Sequence, residues 1–190
     1  MRIIAGTARG RTIEAPKGIQ TRPTLDRVRE NLFNILQTRI SGARVLDLFA
    51  GSGALSFEAI SRGASYAVLC DHDRDAHMTE KKNAEKLGFF EKTDILLCDW
   101  KTALSKLNLQ KEKFDLVFLD PPYRMIDLRE VFLQIEPLLD NEGVIIVEHE
   151  AKKMIIPGSG YIHKDERKWG YCGISIFMKS TDAINMEGKS

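Results

Sequence analysis

Long apolar runs are absent from this sequence, and cysteine is scarce. No segment approaches the roughly 18 to 20 consecutive apolar residues that a membrane span needs, and residues 1–6 do not have the shape of a signal peptide. The three cysteines, Cys70, Cys98 and Cys172, are odd in number and widely spaced, which argues against a disulfide framework or a zinc site. We expect reduced, buried thiols, no metal, no membrane partner and a cytoplasmic location.

The chain as a whole also lacks an excess of one charge, but its first part does not. The net charge is +1. Residues 1–44 contain nine basic and three acidic side chains, a net of +6, and the other 146 residues contain 19 basic and 24 acidic ones, a net of −5. Eight of the nine basic residues are arginines, which contact phosphates bidentately and stack on bases. This distribution favours a nucleic-acid substrate over an ordinary solvated surface.

A glycine loop follows an apolar segment at residues 44–48. The run Asp47-Leu48-Phe49-Ala50-Gly51-Ser52-Gly53 predicts a buried strand that enters a tight turn before a helix. A dinucleotide-binding loop would have a third glycine where Ser56 stands, and a pyrophosphate would be disfavoured by Asp47. S-adenosylmethionine carries a sulfonium and an ammonium group instead, so the Asp47 carboxylate favours this methyl donor. The cofactor candidates in the loop are Asp47, Phe49, Ala50, Gly51 and Gly53.

Two more acids follow predicted strands, and the ligands of parallel sheets bind at the carboxyl ends of strands. Asp71 ends the segment at residues 66–70, where its carboxylate could accept both ribose hydroxyls. Asp99 ends the segment at residues 94–98, where it could accept from the adenine amino group while Trp100 walls the ring. Each acid alone is more often a solvated residue, but their recurrence at three successive strand ends indicates a cofactor site.

The tetrapeptide Asp120-Pro121-Pro122-Tyr123 follows the apolar run at residues 114–119. The prolines fix φ and lack N–H donors, so their carbonyls can point into a pocket, and the tyrosine ring offers a face for stacking a heterocycle. Such a sequence is also typical of an ordinary turn. Its position downstream of a methyl-donor loop favours methylation of a flat, nitrogen-bearing group.

Apolar segments alternate with helical patterns through most of the chain, which predicts an α/β fold with a doubly wound sheet. The predicted strands are residues 44–48, 66–70, 95–98, 114–119 and 144–148. The predicted helices are residues 54–61, 75–87, 101–107 and 127–138. Residues 160–164 and 173–179 have no room for a helix between them and should form an antiparallel pair.

The first 41 residues are predicted to form an arm packed on this core. Segments 2–5 and 11–14 predict a β-hairpin, and a helix should run from residue 25 to about 40, capped by Thr24. Its apolar stripe leaves Arg27 and Arg29 on the other side. We therefore expect an RNA-binding arm at residues 1–41, a catalytic domain at residues 42–179 and a frayed polar tail at residues 180–190.

These motifs occur in the order used by Rossmann-like methyltransferases, whose mostly parallel seven-stranded sheet ends in an antiparallel hairpin. The chain to about residue 179 resembles the RsmD family of 16S ribosomal RNA guanine-N2 methyltransferases. The segments that carry the resemblance are residues 1–6, 9–11, 22–30, 47–54 and 114–123. The family usually has Glu where this chain has Asp71 and often Phe where it has Tyr123, and both replacements keep the chemistry.

The resemblance implies that S-adenosylmethionine methylates the exocyclic amine of one guanine in 16S ribosomal RNA, leaving S-adenosylhomocysteine. We expect Asp120 and the Pro121 carbonyl to accept from that amine, with Pro122 shaping the turn and Tyr123 stacking on the base. Five arginines are expected to contact RNA phosphates: Arg9, Arg11, Arg22, Arg27 and Arg29. The substrate could be naked RNA or a small-subunit assembly particle, and we expect a monomer.

Other functions stay open at this point. Adenine-N6 methyltransferases of DNA share the tetrapeptide, although they commonly need a recognition region for which this chain has little length. Glutamine methyltransferases have similar motifs but give no reason for so many arginines. Carbon-5 pyrimidine methylation would need a Pro-Cys pair, which this chain lacks. A non-catalytic RNA-binding module is disfavoured by the intact set of acids and glycines.

Overall fold

The computed structural model describes residues 1–16, 23–121 and 128–180, with the side chains of residues 23–25 left out. The α-helices are α1 (Pro23–Ile35), α2 (Gln37–Ile40), α3 (Ala54–Ser61), α4 (Arg74–Leu87), α5 (Trp100–Leu109) and α6 (Leu128–Ile135). The strands are β1 (Arg44–Asp47), β2 (Tyr66–Asp71), β3 (Thr93–Leu97), β4 (Phe114–Leu119), β5 (Leu139–Glu150), β6 (Tyr161–Trp169) and β7 (Cys172–Lys179). Short 3-10 turns occupy Phe90–Lys92 and Glu136–Leu138.

The seven strands form one sheet in the order β3-β2-β1-β4-β5-β7-β6. Strands β1 to β5 pair in parallel, β7 is antiparallel to β5, and β6 is antiparallel to β7. The order reverses at β1, which lies between β2 and β4, and open α/β sheets bind ligands at this kind of position. The predicted fold is confirmed, although β5 and β6 are longer than expected.

Alternation along the strands divides the buried side chains between two layers. Val45 points to a layer built from the N-terminal segment, α1, α2, α3 and α4, whereas Leu46 points to a layer that contains α5 and α6. Both layers are needed because parallel strands are apolar on both faces. The arm at residues 1–41 therefore shares its apolar core with the sheet. No helix among the described residues is long and apolar enough to cross a membrane.

The predicted hairpin and helix of the arm are partly wrong. Within residues 1–16 a single antiparallel bridge, between Arg2 and Thr12, replaces the two predicted strands. The helix already begins at Pro23, so Thr24 lies inside it rather than at its cap, and it is interrupted at Leu36 before α2. Contacts with α3 hold the segment in place of a full ladder of strand hydrogen bonds.

Helix α3 binds the first residues of the arm through two buried polar side chains. The Glu58 carboxylate accepts from the backbone N–H groups of Ile4 at 2.7 Å and Ala5 at 3.0 Å. Ser61 Oγ accepts from Ala8 N at 2.9 Å and donates to Ala5 O at 2.6 Å. Gly6, at φ +81°, lies so close that a β-carbon would be 1.8 Å from Ser61 O. Only glycine satisfies both the conformation and this contact.

Candidate active site

A cavity lies where β1, β4 and β5 end, on the sheet face that the arm covers. Asp47 ends β1, Asp120 follows β4, and Glu148 lies near the end of β5. The remaining lining comes from the glycine loop and the arm, namely Met1, Ala15, Pro16, Val28, Arg29, Leu32, Phe49, Ala50, Gly51, Ser52, Ala54, Leu55 and Ile174. The structure thus brings Asp47, Phe49, Ala50, Gly51 and Asp120 together as the sequence predicts.

Asp47 is a buried carboxyl group with few donors. Its side chain is 1% exposed and accepts from Ser56 Oγ at 3.0 Å. Burial is the main cause that raises its pKa to about 7, and the charge of Asp71 adds to this, while the hydrogen bond from Ser56 opposes it. A cationic ligand beside Asp47 would favour the ionised form, so the site suits a positively charged group.

The two glycines of the loop have different functions. Gly51 has φ +57°, and a β-carbon there would meet no atom within 4 Å, so its backbone is open to a ligand in the cavity. At Gly53, with φ +75°, a β-carbon would lie 2.3 Å from the Phe57 ring. Gly51 therefore leaves space for a ligand, whereas Gly53 allows the close packing that starts α3.

Asp71 is tied to the glycine loop by a backbone hydrogen bond. Its Oδ2 accepts from Gly51 N at 3.0 Å, and its Oδ1 accepts from Asp73 N at 2.9 Å. A carboxylate has about four acceptor positions, so Asp71 keeps two for the hydroxyls of a ribose. This arrangement supports its predicted function, although Asp71 does not itself line the cavity.

Asp99 and Trp100 lie at the start of α5 and do not line the cavity. The Asp99 carboxylate caps the helix by accepting from Thr102 N and from Thr102 Oγ1, both at 3.0 Å. These bonds lower its pKa. The side chain is exposed, and Cys98 N donates to Asp71 O at 3.1 Å, so both acids lie at one edge of the sheet. Asp99 is a helix cap here, and adenine contact remains a prediction.

Asp120 reaches the cavity opening and is accessible to solvent, yet protein atoms surround most of its side chain. Burial, followed by the charges of Glu148 and Asp47, raises its pKa well above the usual range. Pro121 is buried behind it. Pro122 and Tyr123 lie outside the described residues, so their predicted functions remain predictions.

Glu148 is a site residue that the sequence reasoning missed. It lines the cavity beside Asp120, and Cys172 Sγ donates weakly to its Oε1 at 3.5 Å. Burial raises its pKa. An acid directly after the apolar run at residues 144–147 repeats the pattern that identified Asp47 and Asp120, and this signal could have found it.

The comparison with known proteins assigns the family. A sequence profile described as conserved hypothetical protein 95 matches residues 1–178. The ribosomal RNA small subunit methyltransferase D of Escherichia coli is 38% identical over 170 residues, covering 87% of this chain and 84% of the relative. The chain belongs to the RsmD family. The predicted family and methyltransferase class are therefore confirmed.

Two further matches extend this similarity over nearly the whole RsmD-type chain. The Bacillus subtilis protein YlbH, provisionally named an rRNA methyltransferase, is 34% identical over 182 residues, covering 94% of this chain and 99% of the relative. A solved Escherichia coli structure, provisionally described as methyltransferase yhhF, superposes with a TM-score of 0.82 at 32% identity, covering 95% and 98%. The similarity thus includes the arm as well as the sheet.

Two of the five arginines predicted to contact RNA are engaged within this RsmD-family chain. Arg29 is only 5% exposed, and its guanidinium donates to Arg2 O at 2.6 Å and to Asp26 Oδ1 at 3.2 Å. Burial lowers its pKa. The prediction that it lies off the buried face of the helix is wrong, because it shares that face with Leu32 and Phe33, three and four residues further along.

Arg11 binds the end of α4. It donates to Leu87 O at 2.8 Å and to Lys86 O, two of the carbonyls that a helix leaves without partners at its C-terminus. Arg9 and Arg27 are exposed and border one shallow depression together with Arg2. Arg22 lies outside the described residues. The exposed pair is thus the part of the predicted surface that is open to a phosphate.

Proposed function

We propose that this protein transfers a methyl group from S-adenosylmethionine to the exocyclic N2 amine of a guanine in 16S ribosomal RNA. The observation that carries the proposal is the convergence of Asp47, Gly51 and Asp120 on one cavity at the point where the strand order reverses. Membership of the RsmD family supports RNA as the substrate, because relatives in it are named ribosomal RNA methyltransferases.

The residues present fit this cofactor. Three acidic side chains, Asp47, Asp120 and Glu148, border the cavity, and a sulfonium with its ammonium group would offset their charge. Gly51 leaves the space that a side chain would otherwise fill. Asp71, already fixed to Gly51 N, would accept from the ribose hydroxyls. When bound, S-adenosylmethionine supplies an electrophilic methyl carbon to a nucleophilic nitrogen.

Asp120 would prepare the target amine for attack. The lone pair of guanine N2 is delocalised into the ring, so acceptors are needed that favour a pyramidal nitrogen. The Asp120 carboxylate and the Pro121 carbonyl would accept its two N–H bonds and direct the lone pair to the methyl carbon. As the N–C bond forms, the sulfur keeps the electron pair of the broken S–C bond. The surplus proton on the amine then passes to Asp120, whose raised pKa suits it as the acceptor.

The exposed arginines would position the RNA. Arg9 and Arg27, with Arg2, form a basic surface on the arm, which packs against the same sheet face as the cavity. Phosphate contacts of this kind place a substrate without reading its sequence. The target guanine must leave its stack to reach Asp120, because the cavity lies below the surface.

Nucleoside mass spectrometry tests this function directly. Ribosomal RNA and genomic DNA would be compared between a strain lacking the protein, the parent strain and a strain complemented with the gene. Loss of N2-methylguanosine from 16S RNA, restored by complementation, is the expected result. An unchanged level of this nucleoside, or loss of N6-methyladenine from DNA instead, would contradict the proposal.

A further inference from the structure

Glu148 and Asp120 lie side by side at the ends of neighbouring strands. In the parallel register of β4 and β5, Leu119 pairs with Val147, and the next residue along each strand is one of these two acids. Side chains alternate between the faces, so both acids follow Phe118 and Ile146 on the arm side of the sheet. The backbone therefore places two carboxyl groups next to each other in one cavity.

This pair is not explained by the packing of the fold. A nearby acid raises the free energy of the ionised form of each group, and burial adds to this cost. The weak thiol donor of Cys172, 3.5 Å from Oε1, uses one of the acceptor positions of Glu148. Glu148 therefore keeps acceptor capacity facing the cavity, and a ligand with adjacent N–H donors would satisfy both acids.

The Watson–Crick edge of guanine has two such adjacent donors, N1–H and the N2 amine. Adenine has an acceptor at its N1 position, so a carboxylate there would meet a lone pair rather than a hydrogen. We propose that Glu148 is a specificity-determining residue that accepts from guanine N1–H while Asp120 accepts from the N2 amine. This inference rests on the proposed function and adds to it the group that distinguishes guanine from other amine-bearing bases.

Asp47 and Glu148 are separated by β4 in the strand order. Asp47 is adjacent to the glycine loop and hydrogen-bonds to Ser56, whereas Glu148 is adjacent to the residue expected to bind the target amine. This separation assigns the methyl donor to Asp47 and the base edge to Glu148. A site built to accept a specific N–H rejects an analogue that lacks it, because the acceptor is then left without a partner.

The test uses 2-aminopurine, which keeps the 2-amine but has an unprotonated N1. Mass spectrometry first locates the methylated guanosine, and small-subunit RNA is then made with guanosine or 2-aminopurine riboside at that position. Methyl transfer is measured for the wild type, for Glu148→Gln and for a control, Glu150→Gln, an exposed acid on the same strand. Glutamine keeps the shape of the side chain but can donate to N1 of 2-aminopurine.

The wild type and Glu150→Gln should prefer guanosine by about 10- to 100-fold in kcat/KM. In Glu148→Gln this ratio should fall by a similar factor, with the dissociation constant of S-adenosylmethionine, measured by calorimetry, unchanged. A ratio equal to that of the wild type would overturn the assignment, and so would a weakened cofactor affinity with an unchanged ratio. If the wild type methylated no guanosine at all, the proposed function itself would fail, so the two failures are distinguishable.

Discussion

Two groups of buried acids lie on the same side of the sheet, and their surroundings are opposite. Glu58, on α3, is fully buried and accepts from two backbone N–H groups, and Arg62 Nε lies 2.7 Å from its Oε1. The cavity acids Asp47, Asp120 and Glu148 are crowded by each other's charges, and burial raises the pKa of each. The protein supplies the partners of the first group and leaves those of the second to a ligand.

The difference separates structural acids from functional ones. A buried carboxylate with enough donors stabilises the contact between two segments, whereas one without them lowers the stability of the free protein. Such a cost is typical of active sites, where perturbed titration marks groups that act on a ligand. Substitutions in the two groups should therefore have opposite consequences for stability and activity.

The largest effect on stability is expected for Glu58→Ala. The change removes the acceptor of Ile4 N and Ala5 N and leaves Arg62 with an uncompensated charge, so the free energy of unfolding should fall by about 3 to 5 kcal/mol. Urea titration measures this value. Glu85→Ala, at an exposed position of α4, is the matched control. Equal destabilisation of both variants would show that Glu58 does not fix the arm.

Asp120→Asn should affect catalysis and spare the fold. Because the amide is a poorer acceptor and cannot take the proton, kcat should fall by about 10²- to 10³-fold. The unfolding free energy should stay the same or rise, and cofactor affinity should remain near normal. Methyl-transfer assays and calorimetry measure these quantities, with Asp75→Asn as an exposed control. Activity within about tenfold of the wild type would exclude the function assigned to Asp120.

The pH dependence of stability separates the two groups further. A folded-state pKa of about 7 for Asp47, above its unfolded value, means that the folded protein binds more protons between these values. Stability without cofactor should therefore fall as the pH rises from about 4 to about 7, by roughly 2 to 4 kcal/mol for this group. Urea titrations of the wild type and Asp47→Asn should show a flatter profile in the variant.

Cofactor affinity should change in the opposite direction. A cationic ligand favours ionised Asp47, so binding should strengthen as the pH rises through about 7. Calorimetry at a series of pH values measures this, and Asp47→Asn should bind weakly with little pH dependence. If the wild type bound the cofactor equally well at about pH 5 and about pH 8, the Asp47 assignment would be wrong.

The smallest effects are expected at the exposed arginines. Arg9→Gln with Arg27→Gln should reduce the salt slope of RNA binding by about one for each phosphate that no longer has a cationic partner, with kcat unchanged at saturating RNA. A double change of Lys82 and Lys92 to Gln alters the net charge equally at other exposed positions and serves as the control. Filter binding at several salt concentrations gives the slopes. Equal slopes for both double variants would mean that the arm surface does not contact phosphates.

The cavity could be predicted in large part, because its residues follow apolar strands in the sequence. An acid after each strand end, as at Asp47 and Asp120, is visible without the structure, since the carboxyl ends of parallel strands meet at one edge. Glu148 has the same pattern, but no group of the cofactor calls for an acid there. Its significance depends on the register of β4 and β5, which the sequence alone does not show.

The arm was less predictable, because tertiary contacts decide its structure. Arg29 is polar, and a count of apolar residues places it outside the buried face, yet it finds Arg2 O and Asp26 as partners inside the protein. The hairpin expected around Gly6 and Gly10 is mostly replaced by hydrogen bonds to Glu58 and Ser61, more than 50 residues away. Local propensity cannot anticipate such long-range partners.

Helix α3 contacts both regions within eight residues, a length of about 12 Å. It begins at Gly53 of the cofactor loop, its Ser56 donates to Asp47, and its Glu58 and Ser61 hold the arm. A rigid element of this length cannot move at one end alone. The occupancy of the cofactor loop and that of the RNA-facing arm are therefore thermodynamically linked, and any change in affinity at one must appear reciprocally at the other.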